Sequence, residues 1–132
     1  MQVKYLGTLR CEATHCDSKN QIITDAPKDN HGKGEAFSPT DLMCTSLASC
    51  MITIMGITAN KRNILIEAME AKIEKAMLSN PRRIGEVKIE LRVKGTFSET
   101  EKKALKKAAI DCPVALSIHP EVKQDVSIHF EE

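Results

Sequence analysis

The chain has 132 residues, about the size of one domain, and 42% of them are apolar, enough to bury a core. Its 19 Lys and Arg balance 18 Asp and Glu with no basic block, which excludes an electrostatic footprint for nucleic acid or for an anionic membrane. One Tyr, three Phe and no Trp leave few rings on which bases could stack, so small neutral or apolar ligands are the better fit.

The first residues carry no charged region followed by an apolar run and a small-residue cleavage site, so the expected location is cytoplasmic. In that compartment five cysteines at 11, 16, 44, 50 and 112 make a poor framework of structural disulfides, being odd in number and scattered. Most of them are expected to act as small buried hydrophobes. The whole of 1–132 is read as a single domain.

Residues 3–14 alternate Val3, Tyr5, Leu9, Cys11 and Ala13 with Lys4, Thr8, Arg10, Glu12 and Thr14, the period-two pattern of one half-buried strand. Asp17-Ser18-Lys19-Asn20 supplies turn residues, and residues 21–25 return as a second strand. The stretch 26–35, with Pro27, Gly32 and Gly34, reads as a loop. Ser38 then caps a helix: Pro39 suits its first position, and Asp41 completes a capping box.

That helix is predicted to run to about Lys61. No charge falls between Leu42 and Asn60, and Leu42, Met43, Leu47, Met51, Ile52, Ile54, Met55 and Ile57 lie around its full circumference. It must be buried on nearly all sides. Thr45, Ser46, Ser49, Thr53 and Thr58 dilute the alternative of a membrane span, and no Trp or Tyr flanks it. A helix about 30 Å long is hard for one small sheet to wrap, so a partner subunit is expected to complete the coat.

Residues 63–78 fit two templates, with a helical stripe of Leu65, Met69, Ile73, Ala76 and Met77 favoured by periodicity. Ser79-Asn80-Pro81 is a turn, and Val87, Ile89, Leu91 and Val93 alternate with Lys88, Glu90, Arg92 and Lys94 in a strand ending at Gly95. Ser98 and Glu101 form a second capping box, opening a helix that Pro113 ends. Residues 122–130 alternate again, as a final strand.

The chemistry candidates are the cysteines. Cys50 sits mid-helix, where burial normally raises a thiol pKa, so its thiolate would need a cation; Arg10, Lys33 and Arg62 are the candidates. Cys112 follows the last turn of the lysine-rich helix, where the helix dipole disfavours a thiolate, so it suits a resolving role better than that of first nucleophile. Cys44, about 120° around the helix from Cys50, reads as core. Cys11, His15 and Cys16 raise zinc, but no second ligand pair follows at finger spacing, and no metal or cofactor is expected. His119 and His129 stand alone, and neither a phosphate loop nor a GxSxG element is present.

Gly32-Lys33-Gly34-Glu35, then Ser38-Pro39-Thr40-Asp41-Leu42, Ala48-Ser49-Cys50 and finally Asp111-Cys112-Pro113-Val114 resemble the OsmC/Ohr family of peroxide-reducing proteins over nearly the whole chain. The resemblance implies an α+β fold in which antiparallel sheets wrap long central helices in an intertwined homodimer. It turns Leu65 to Met77 into a strand paired with Val87 to Val93. It implies that Cys50 is the peroxidatic cysteine, attacking an organic hydroperoxide to give an alcohol and a sulfenic acid, and that Cys112 condenses with it to a disulfide. A dithiol or lipoylated protein would reopen that disulfide. Characterised members of the family carry a Glu after the helix-opening Pro and an Arg in an N-terminal loop; here Thr40 follows Pro39 and residues 17–20 lack Arg, so the pattern is closer to the less-characterised OsmC-like branch, with Asp41 as the available polar partner. A non-enzymatic redox sensor or apolar-ligand-binding protein on the same fold is the alternative function.

Overall fold

The computed structural model describes all residues 1–132. It divides into two compact units, residues 1–43 and 44–132, each with its own three-stranded sheet.

The first unit is built on β1 (Gln2–Gly7), β2 (Arg10–Thr14) and β3 (Gln21–Asp25), hydrogen-bonded in that order and antiparallel throughout. The single strand expected over 3–14 is thus two strands. The chain reverses at Gly7, Thr8 and Leu9, all at positive φ, and the alternation in the sequence passes unbroken through a reversal that only Gly7 betrays. The register places Val3, Tyr5, Cys11, Ala13, Ile22 and Thr24 on one face. Val3, Tyr5 and Ile22 on that face are exposed.

A 3₁₀ turn at Lys28–Asn30 interrupts the expected loop. The loop folds back tightly enough that a Cβ on Gly32 would lie 1.7 Å from the Ala26 carbonyl oxygen, so this position admits only glycine. The helix α1 (Pro39–Arg62) follows, begun by the expected capping box: the Asp41 N–H donates to Ser38 Oγ at 3.1 Å, and the Ser38 N–H donates to Asp41 Oδ2 at 2.9 Å.

In the second unit, β4 (Ala68–Leu78) and β5 (Arg83–Lys94) form a long antiparallel hairpin through the expected turn, and β6 (Lys123–Glu131) joins β5. Periodicity alone misassigned residues 63–78: Met69, Ala71, Ile73 and Met77 are half-buried against the core, the face that the odd-numbered pattern allowed and the resemblance required. One correction concerns sheet direction. β6 runs parallel to β5, so this sheet is mixed rather than antiparallel.

The intervening helices are α2 (Glu99–Ile110), with the expected Ser98/Glu101 capping box, and a short α3 (Pro113–Ser117) that the sequence reading did not include. Leu47, Met51 and Met55 of α1, Val87, Ile89, Leu91 and Val93 of β5, and Leu105 and Ala109 of α2 are all sealed from solvent in one core. Each large aliphatic side chain so buried contributes about 1.5–3 kcal/mol of transfer free energy. Phe97 closes one end, edge-on to Phe130 at 5.3 Å between centroids.

Within the single chain, α1 is buried along one stripe. Cys44, Leu47, Ala48, Met51, Met55 and Ala59 face the core, whereas Met43 and Ile57 are exposed. By length and composition α1 could cross a membrane, and its apolar stripe is accounted for here by packing in the core of the second unit.

Candidate functional site

Two sets of residues carry chemistry. The first brings together Cys50 and Cys112, far apart in sequence and both in the second unit. Cys50 is half-buried on α1, flanked by exposed Ser49 and Thr53. Cys112 is fully buried where α2 ends and α3 begins.

The local sequence explains the position of Cys112. Pro113 cannot continue α2, but its fixed φ suits the first residue of a new helix, so the chain turns at Cys112 and restarts. Cys112 thereby becomes the N-cap of α3. The Ala115 N–H donates to its Sγ at 3.4 Å. The expectation that Cys112 stands only at an unfavourable helix terminus is therefore incomplete: its sulfur accepts a backbone hydrogen bond from the next helix.

The Cys112 thiol is pushed above its ordinary value chiefly by burial. The Ala115 N–H opposes that rise, and the nearby Cys50 thiol adds to it. Cys50 thus lies close enough to act on the Cys112 thiol, and neither cysteine is held in a disulfide. Such a pair can store two electrons as thiols and release them on forming a disulfide.

The second set lies in the first unit. Arg10 and Asp25 are opposite each other in the β2–β3 register, and the guanidinium grips the carboxylate at both oxygens, each at 2.8 Å. Its Nη2 also donates to Glu35 Oε2 at 2.8 Å, and the Glu35 N–H donates to Asp25 Oδ2 at 3.0 Å. Asp25 is almost wholly buried, and this grip holds its carboxyl below the usual carboxylate range, with Arg10 the largest cause. Asp25 and Glu35 hold Arg10 firmly protonated in turn.

Of the three cations considered for the Cys50 thiolate, Arg10 is therefore engaged by two carboxylates. Asp25 was not singled out from the sequence, and Glu35 entered only as the last residue of the Gly32–Glu35 motif, with no role assigned. The hairpin register would have found Asp25, since it pairs Asp25 with Arg10, but nothing in the Gly32–Glu35 motif ties Glu35 to Arg10. Asp41, the available polar partner, takes part in the α1 cap.

No group of three or more His, Cys, Asp or Glu side chains is placed to hold a metal ion, Cys11, His15 and Cys16 included. His15 Nδ1 is instead hydrogen-bonded to Ser18 Oγ at 2.7 Å, tying the β2–β3 turn, and His119 Nδ1 accepts the Glu121 N–H.

The family model described as "OsmC-like protein" matches residues 32–127. Among solved structures, the chain is similar to a Psychrobacter arcticus 273-4 protein, provisionally named an osmotic stress induced and detoxification response protein. The two share 51% identity over 97% of this chain and 93% of that one, with a TM-score of 0.92. An OsmC like protein from Mycoplasma pneumoniae superposes with a TM-score of 0.83 at 19% identity, covering 99% of this chain and 95% of that one. An organic hydroperoxide resistance protein OsmC from Legionella pneumophila does so at 0.77 and 19%, covering 97% and 93%. At these lower identities the likeness is one of fold. No curated protein matches the chain. The matched family model and the Psychrobacter relative, on an α+β fold that brings two separate cysteine motifs together, establish that the chain belongs to the OsmC-like family.

Proposed function

We propose that this protein is a thiol-dependent peroxidase that reduces organic hydroperoxides, with Cys50 as the peroxidatic and Cys112 as the resolving cysteine. The observation that carries the reading is that the fold brings half-buried Cys50 near enough to buried Cys112 to act on its thiol. The Cys50 thiolate attacks a peroxide oxygen; the O–O bond breaks, an alcohol leaves with a proton, and Cys50 becomes a sulfenic acid. Cys112 then displaces water from that sulfur to form the disulfide, and an external dithiol returns both cysteines to thiols.

The substrate class follows the name of the Legionella relative, and the detoxification role follows that of the Psychrobacter relative. A cytoplasmic location fits five cysteines that are all free. A homodimer fits the exposed apolar face of the β1–β2–β3 sheet, with Val3, Tyr5 and Ile22 available for a second copy to cover.

The test is turnover of cumene hydroperoxide with dihydrolipoamide as the donor. Cys50→Ser should abolish it, and Cys112→Ser should prevent regeneration by the dithiol after the first oxidation. Wild-type protein that consumes no hydroperoxide with any of several dithiols refutes the reading. One observation favours a redox sensor on the same fold instead: Arg10, the Arg considered for the N-terminal segment, is bound by Asp25 and Glu35. A sensor would form the disulfide once, stoichiometrically, without sustained turnover.

A further inference from the structure

We propose that an external reducing thiol opens the Cys50–Cys112 disulfide by attacking the sulfur of Cys50, so that Cys112 is the sulfur that leaves. The inference rests on the redox pair proposed above and assigns the direction in which that pair is reduced. Exchange proceeds through three sulfurs in line, so the incoming thiolate must reach the attacked sulfur from the side away from its partner.

For Cys112 that approach is closed: the residue has 0% exposure and belongs to the buried core cluster that includes Leu105, Ala109 and Ala115. Cys50 lies at the edge of the buried stripe of α1, half-buried, next to Ser49 and Thr53, which are exposed. Only Cys50 is open to a donor from solvent.

The leaving side is prepared as well. When the S–S bond breaks, its electron pair stays on Cys112 Sγ, which already has the Ala115 N–H 3.4 Å away as a donor. Pro113 has no N–H and Cys112 caps α3, so this donor has no competing helical partner. Burial then favours uptake of a proton from water by the departed thiolate. The donor's first sulfur becomes bonded to Cys50. Its second thiol attacks that first sulfur, closes the donor's own disulfide and releases Cys50 as thiolate. Two electrons pass from the dithiol to the protein, and the two donor protons are balanced by those taken up at Cys50 and Cys112.

The experiment uses diamide-oxidised wild-type protein and 2-mercaptoethanol, a monothiol that stops at the mixed disulfide. After a brief pulse and acid quench, free thiols are alkylated with N-ethylmaleimide and peptides are mapped by mass spectrometry. The Cys50 adduct should exceed the Cys112 adduct by on the order of tenfold or more, since exchange follows access to the attacked sulfur. In guanidinium-unfolded oxidised protein the preference should fall to roughly even, because burial no longer shields Cys112. A majority of adduct on Cys112, equal labelling in the folded protein, or a preference that persists after unfolding overturns the proposal. Failure of diamide to join Cys50 to Cys112 removes the redox pair itself, an outcome distinct from a wrong direction of attack.

Discussion

Cys112 has a structural role that can be separated from its redox role. Replacing it with Ala deletes the Sγ that receives the Ala115 N–H, in a position with no solvent to substitute for it. Loss of an N-cap acceptor costs about 1 kcal/mol, and the stranded buried N–H is the same loss seen from the other partner, so the two are not added. Removing the sulfur from a packed core costs about 1 kcal/mol more, the scale of one buried methylene. Cys112→Ala should therefore lower the unfolding free energy by about 2 kcal/mol. Cys112→Ser keeps an acceptor, and Ser is a preferred N-cap, so it should recover roughly half of that. The serine proton must itself be placed in a buried setting, which holds the recovery short of complete. Urea titrations with excess reductant, so that no disulfide contributes, give the order wild type, then Ser, then Ala. An Ala variant as stable as wild type, or a Ser variant less stable than Ala, refutes the capping argument.

The Arg10–Asp25 grip predicts a dependence on pH in the acid range. Asp25 titrates lower in the folded chain than unfolded, so its contribution is present above the ordinary carboxylate value and is lost as pH falls through the depressed folded value. Urea midpoints of wild type should drop more steeply below about pH 4 than those of Asp25→Asn, which has no charge to lose there; parallel curves would remove the grip from the account. The exposed face of the first sheet predicts a dimer by sedimentation equilibrium, and Val3→Glu with Tyr5→Glu should shift it to monomer. A wild-type monomer, or a dimer indifferent to both changes, contradicts that use of the face. Burial also raises the Cys112 thiol, which stabilises the fold below the ordinary thiol value and ceases to do so as pH rises through the raised one. Stability should therefore fall at alkaline pH more in wild type than in Cys112→Ser, and equal slopes would count against it.

Much of this was legible in the sequence where one local signal dominated. The two capping boxes placed α1 and α2, because Ser with an acid three residues on satisfies specific backbone donors. Alternation placed β5 and β6, whose side chains face core and solvent in turn. Residues 68–78 failed by periodicity because Met69, Ile73 and Met77 are spaced by four, which satisfies one helix face and one strand face equally. The hairpin reversal at Thr8 and Leu9 was hidden, since both residues adopt positive φ without being glycine. Which stripe of α1 faces the core of its own chain could not be read from a helix apolar all around.

At the site, the sequence named both cysteines, but it judged Cys112 from the helix before it and missed the one after. Five residues of α3 are too short to leave a periodic signal, and only Pro113 marks their start. The grip of Asp25 and Glu35 on Arg10 needs the β2–β3 register and the return of the loop, both tertiary facts.

The central claim, that Cys50 and Cys112 form a working redox pair, is tested most directly by treating the reduced protein with one equivalent of cumene hydroperoxide and mapping its disulfides by mass spectrometry. The account predicts a single Cys50–Cys112 linkage, with Cys11, Cys16 and Cys44 recovered as alkylated thiols. No linkage, or one that joins Cys50 to any of those three in place of Cys112, would contradict it.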